Sequence, residues 1–232
     1  MKDKALLAVV AIVVIIIATG ILVFSLGIFE EHTEVNTKVL SGIISGPANE
    51  TPIENSSFSE ELTSQNWTSS YFDSTHGVLY EIAMADNFNF IKDLFLHTGC
   101  MKKVATKEYN GNKWDIYHFN GIDYKSKFNS IISLGFPGFV YLCSASGENG
   151  EYLVIVESSY VVSDDTLDSD LFKNYCEPFL NTITLKNPTN PPKEYQILDI
   201  SLNDYNTLKN FVKNNGWDAF IKIASNPYQV NY

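Results

Sequence analysis

The chain of 232 residues contains no arginine, and all 16 of its basic residues are lysine. That absence removes the planar, bidentate clamp that proteins most often use for phosphate and carboxylate groups. Positive charge is scarce overall: 16 Lys face 27 Asp and Glu, for a net charge of −11. An acidic chain of this kind argues against nucleic acid as a partner. Cysteine is limited to three residues, too few for a disulfide-dense scaffold. With 13 Gly, 8 Pro and 13% aromatic residues the chain is neither collagen-like nor disordered. No G-x-S-x-G, P-loop or G-x-G-x-x-G run occurs, so no phosphate cradle is visible.

What the chain does have is one long apolar run. Ala5 to Phe29 is broken only by Thr19, Gly20, Ser25 and Gly27. As a helix it spans about 37 Å, enough for a hydrocarbon core of about 30 Å. A cleaved signal peptide is the competing reading, but its apolar region is about 7–15 residues long and ends in a small-x-small site. Here the run is longer, Gly20 to Leu26 offers no A-x-A, and no lipobox cysteine follows. The expectation is a signal anchor over residues 1–29 that spans the membrane through residues 5–29. Lys2 and Lys4 precede the run, while Glu30, Glu31 and Glu34 follow it. That asymmetry places the short N-terminus in the cytoplasm and the bulk outside a single-pass cell membrane protein.

Residues 30–70 are rich in Ser, Thr, Asn and Glu and read as a polar stalk. Val39, Leu40, Ile43 and Ile44 fit one short helical continuation. Three N-x-S/T sequons begin at Asn49, Asn55 and Asn66, and none occurs elsewhere. A flexible outer segment suits glycosylation at these sites, although so Asn- and Ser-rich a stretch also makes sequons by chance.

Residues 71–187 read as an extracytoplasmic domain. Gly77–Ala85 has strand character, and Asp86–His97 has the apolar spacing of a helix with Asp86 as its N-cap. Lys102–Tyr109 and Asn112–Phe119 flank Asn110-Gly111, the preferred dipeptide of a two-residue type I′ turn. An unbroken hairpin sets Tyr109 against Asn112, Ala105 against Ile116, Val104 against Tyr117 and Lys103 against His118. One face then gathers Tyr109, Trp114 and Ile116, the other Val104, Tyr117 and Phe119. A second hairpin joins Phe139–Ser146 to Glu151–Ser158, whose Leu153–Val156 run suits a central strand. Lys127–Leu134 fits a short helix. Leu171 to Leu180 has helical spacing interrupted by Pro178, which demands a kink or restart. Asn187–Pro192 breaks regular structure. In the extension 188–232, Tyr195–Ile200 reads as a strand and Asp204–Asn214 as a helix. A final helix carries Trp217, Phe220, Ile221 and Ala224, and its aromatics imply docking on the domain. The fold class expected is α+β, a largely antiparallel sheet packed with helices and preceded by one transmembrane helix.

The residues able to do chemistry do not assemble into a familiar set. Cys143 and Cys176 are one possible disulfide outside the cytoplasm; three buried thiols are the alternative. His97 and Cys100 lack a second ligand pair for zinc. Cys100, His118 and Asp115 have the types of a thiol triad, yet Asp115 and His118 fall on opposite strand faces. Asp164, Asp165, Asp168 and Asp170 lack EF-hand spacing and read as caps before a helix. Glu81, Asp115 and Glu157 are carboxylates that an acid–base pair would need. No catalytic residue, metal site or cofactor is expected.

The leading MKDKALLAVVAIVVIIIATGILVFSLG, the Ser/Thr/Asn stalk and a small Asn-, Ile- and Tyr-rich domain with lysine only resemble single-pass surface proteins of methanogenic archaea. Gly77–Lys186 also resembles PsbP-like α/β/α sandwiches, through the YNGNKWDIYHF hairpin, the ENGEYLVIVES strand and the closing FLNTITLK; Pro178 departs from that pattern. The resemblance implies an accessory or assembly role at a membrane. The function expected is therefore a membrane-anchored extracytoplasmic binding module without catalysis, its partner an envelope protein or wall polymer. The alternatives are an envelope hydrolase acting on wall polymer or peptide, and a structural envelope component that self-associates.

Overall fold

The computed structural model describes residues 34–44, 56–59, 67–73, 76–121, 138–161 and 163–225. The anchor expected over 1–29, the sequons at Asn49, Asn55 and Asn66, and the helix expected over Lys127–Leu134 lie outside these residues. Among the described residues no helix is long and apolar enough to cross a membrane. In chain order the strands are β1 (Glu34–Asn36), β2 (Leu40–Ile43), β3 (Ser56–Ser59), β4 (Thr68–Asp73), β5 (Val78–Ala85), β6 (Met101–Tyr109), β7 (Asn112–Asn120), β8 (Phe139–Ser146), β9 (Glu151–Ser158) and β10 (Thr184–Leu185). The helices are α1 (Asn89–His97), a π-helical turn (Phe172–Cys176) leading into α2 (Glu177–Thr182), α3 (Glu194–Ile197) and α4 (Leu202–Ser225).

Seven strands pair antiparallel throughout in the order β3-β4-β5-β9-β8-β7-β6. The strand alternation sends even-numbered residues of β5 and β9 to one face and odd-numbered ones to the other. On the first face Tyr80, Ile82, Val154 and Val156 pack under the π-turn and α2, with the small sheet β1-β2-β10 beside them. On the second face Leu153, Leu142, Tyr117 and Phe119 pack under α1 and α4. The architecture is thus α+β, a large antiparallel sheet covered by helices on both sides. β9 lies at the centre of the order, which is why its Leu153–Val156 run has no polar face.

Both hairpins form as their turn residues dictate. Asn110 (φ 46°) and Gly111 (φ 76°) both take positive φ, as a type I′ turn requires. The expected register holds from Tyr109 to Ala105, then slips. Val104 is left unpaired as a bulge, so Lys103 faces Tyr117 and Lys102 faces His118. The bulge also turns Val104 towards the face of Trp114 and Ile116, away from Tyr117 and Phe119. β6 is an outer strand of the sheet, and its Lys102, Lys103 and Lys107 side chains are exposed.

Three other expectations are corrected. Val39–Ile44, read as a helical turn in a stalk, contains strand β2, paired with β1 and β10. Val35, Val39, Leu40 and Ile44 are buried in the core, and that burial offsets the weak local preference of a Ser- and Gly-containing segment. Tyr195–Ile200, read as a strand, overlaps the single helical turn α3. Its backbone is claimed locally: the Lys193 N–H donates to Gln196 Oε1 at 2.8 Å. Finally, α1 begins at Asn89, and Asp86 is not its N-cap. The Asp86 carboxylate instead accepts the N–H groups of Asn87 (2.9 Å) and Glu194 (3.0 Å).

Around Pro178 the backbone stays helical: residues 170–182 run on without a break, and the π-turn over Phe172–Cys176 falls immediately before the proline. α4, by contrast, holds two helices, because Gly216 (φ 82°) breaks it. Beyond that break Trp217 and Phe220 stack against Phe90 of α1, with centroids 5.4 and 6.4 Å away. Up to Ser225, the described part of the C-terminal segment thus packs on the second face of the sheet.

Candidate functional site

The candidates nominated by residue type are dispersed. Cys100 is buried in the α1/α4 core, whereas His118 points to the opposite face. The His118 Nε2 lies 3.1 Å from Ser163 Oγ, and its ring stacks on Phe139. Burial holds its pKa below the ordinary value, so it is a neutral core histidine near neutrality. Asp115 is held by Lys103 (2.8 Å) and Thr106 (2.6 Å). No thiol triad is assembled. His97 stacks on Trp217 and hydrogen-bonds the Asp93 carbonyl at 2.7 Å. Among the described residues no group of three possible metal ligands comes together.

The acidic loop before the π-turn is structural. Asp164 Oδ1 accepts from the Thr166 N–H at 3.0 Å and its hydroxyl at 2.6 Å. Asp165 pairs with Lys102, and Asp168 with Lys173. The loop is tied down from beneath by Tyr141, whose hydroxyl reaches the carbonyls of Asp164 and Thr166, each at 2.7 Å. Asp170 is exposed at its end.

Two nominated pairs are brought together. Cys143 on β8 and Cys176 on the π-turn have their sulfur atoms 3.5 Å apart, both as thiols and both fully buried. Glu81 and Glu157 meet on the α1/α4 side of the sheet, because Glu157 pairs with Leu79 and Glu81 with Ile155 on adjacent strands. Glu157 is 8% exposed. Among the described residues neither carboxylate has a hydrogen bond or ion pair. Burial pushes Glu81 up to about 7. Burial, and then repulsion from Glu81, push Glu157 up to about 8. Asp115 stands apart from both: partial burial works against its charge, but Lys103 and Thr106 prevail and hold its pKa below the usual range.

Where α1 leaves β5 and crosses the sheet, it leaves open a cleft of about 860 Å³ beside the two hairpin turns. Asp115 and Ser144 rise into it from the sheet. Around them stand four asparagines (Asn87, Asn89, Asn112 and Asn149), two lysines (Lys92 and Lys113) and three further carboxylates (Asp86, Glu148 and Glu151). Four carboxylates against two lysines leave a formal excess of two negative charges. The walls are braced: Lys92 pairs with Glu151, Asn149 Nδ2 donates to Asn187 Oδ1 at 3.0 Å, and Glu151 accepts the Phe88 N–H at 2.9 Å. Each amide side chain presents donors and an acceptor, so the cleft matches a ligand rich in hydroxyl or amide groups. Among the described residues that line it there is no thiol, imidazole or aromatic ring.

A second braced feature escaped the sequence reading. Glu194 is 2% exposed, and its carboxylate accepts the N–H groups of Phe90 (3.2 Å) and Ile91 (2.8 Å) and the hydroxyl of Tyr205 (2.6 Å). It caps α1 from another element and ties α4 to it. Burial raises its pKa, against the pull of those three hydrogen bonds. Its local signal, one Glu after Pro-Pro-Lys, is indistinguishable from a surface acid. Comparison with protein families, with curated proteins and with solved structures finds no match to the chain.

Proposed function

We propose that the protein is a membrane-anchored extracytoplasmic binding or accessory module without catalytic activity, and that the hairpin-end cleft is its binding site. The cleft carries the reading: it is preformed, polar and acidic. Such a site recognises a hydroxyl- and amide-rich or cationic group, as an envelope protein or wall polymer presents. The apolar run over residues 5–29, with lysine before it and glutamate after it, supports single-pass anchoring with the domain outside. The resemblance to PsbP-like accessory proteins and archaeal surface proteins leans the same way.

The test is crosslinking of the full-length, C-terminally tagged protein in intact cells, for wild type and for Ser146→Trp at the cleft rim. One stoichiometric envelope partner or wall polymer, lost in the variant, is the expected result. Recovery of the protein alone, or a C-terminal reporter facing the cytoplasm, refutes the reading. A second reading, an envelope hydrolase, is favoured by one observation, the Glu81–Glu157 pair with its raised pKa values. Loss of wall-polymer hydrolysis on Glu157→Gln would distinguish it.

A further inference from the structure

We propose that Cys143 and Cys176 form a disulfide in the mature protein, fastening β8 to the π-helical turn and leaving Cys100 as a thiol. The inference rests on the extracytoplasmic reading above, since such bonds persist where the surroundings are oxidising. Three cysteines allow three pairings, and the fold permits one. The Cys143 and Cys176 sulfur atoms are already 3.5 Å apart. Closing to a bond of about 2.05 Å takes a displacement of about 1.5 Å, shared between two side chains. Cys100 lies on the opposite side of the sheet, in the α1/α4 core, and reaches neither.

The surroundings favour a fixed crosslink over a reactive thiol. Cys143 is flanked in register by Ile116 and Val154, and both cysteines are fully buried. Burial raises the Cys176 pKa well above its ordinary value, and in the folded protein both sulfur atoms are sealed from any oxidant in solution. Oxidation therefore takes place during folding, before the π-turn closes over the sheet. One thiolate attacks the disulfide of a dithiol–disulfide oxidoreductase or oxidised small thiol, giving a mixed disulfide. The second cysteine displaces the carrier. The two sulfurs lose two electrons and two protons, and the carrier's disulfide becomes two thiols.

The test uses full-length protein taken from native membranes under acid quench, denatured, and alkylated with N-ethylmaleimide before and after reduction. The expected result is one adduct before reduction and three after, with a reducible peptide joining residues 143 and 176. Three adducts before reduction overturn the disulfide. Refolding the reduced protein in a glutathione redox buffer then separates the causes. Closure of 143–176 there faults the extracytoplasmic location. No closure, or pairing through Cys100, faults the geometry and leaves the location standing. Cys143→Ser adds a second measure: it should lower the melting temperature relative to wild type without reductant, and the gap should shrink when both are reduced. An equal gap in both conditions marks a packing effect and counts against the bond.

Discussion

Replacing Glu157 by glutamine should stabilise the protein in alkaline solution and leave it unchanged in acid. The unfolded chain binds a proton at this carboxyl only below about 4.5, whereas the folded protein keeps it up to about 8. Between those values folding takes up a proton, so stability falls as pH rises and the contribution is gone once pH passes the folded pKa. Below about 4.5 both states are protonated and the contribution is fully present. A carboxyl moved from 4.5 to about 8 corresponds to on the order of 4–5 kcal/mol. Part of that is repulsion from Glu81, and two such carboxyls titrate as a pair. We therefore expect the variant to exceed wild type by about 3 kcal/mol at pH 9 and to match it near pH 4. Urea unfolding of the full-length protein in detergent, followed through the buried Trp67 and Trp114, measures both at a series of pH values. Subtracting the two curves cancels the acidic groups other than Glu81, which titrates with Glu157. A difference that stays flat across the range, or a less stable variant at pH 9, would refute the argument from burial and repulsion.

Glu194→Ala should cost about 2–4 kcal/mol, because it strands the two α1 N–H groups and the Tyr205 hydroxyl. Hydrogen exchange should quicken across both α1 and α4; an effect confined to residue 194 would contradict the tie. Tyr80→Phe should be neutral or stabilising by about 1 kcal/mol, since the buried hydroxyl has no hydrogen-bond partner among the described residues; a loss above 1 kcal/mol in a melt would show that it has one. Gly111→Ala should cost about 1 kcal/mol through its positive φ alone, as no atom lies within 4 Å of the added methyl group. Thermal unfolding tests this, and a neutral result would remove the type I′ turn as a determinant.

The parts of the fold legible in the sequence are those whose signal is local. Asn110-Gly111 and the Gly147–Gly150 turn fix two hairpins, and the phase of the apolar residues fixes α1 and α4. The bulge at Val104 has no local mark; it sets Val104 against the cluster that holds Trp114 and Ile116, on the far side of the sheet from α1. β2 is decided by a distant partner, Leu185 pairing with Leu40, whereas α3 is closed by a local cap, Gln196 on the Lys193 N–H, inside a stretch whose residue types suit a strand. The candidate site was legible as residue types only. Glu81 meets Glu157 through the pairing of β5 with β9, and the cleft is built from three separated stretches of chain. Neither is visible until the sheet order is known.

The lysine-lined outer strand β6 bears on how crowded copies behave. A bare sheet edge offers a row of backbone donors and acceptors to any neighbour that can lie alongside it. Here Lys102, Lys103 and Lys107 would confront the same lysines in an antiparallel twin, and the bulge at Val104 interrupts the flat run such a twin would need. Crowded together, copies of the protein would not zip together through β6, and a filament or lattice grown by extending the sheet across that edge is disfavoured.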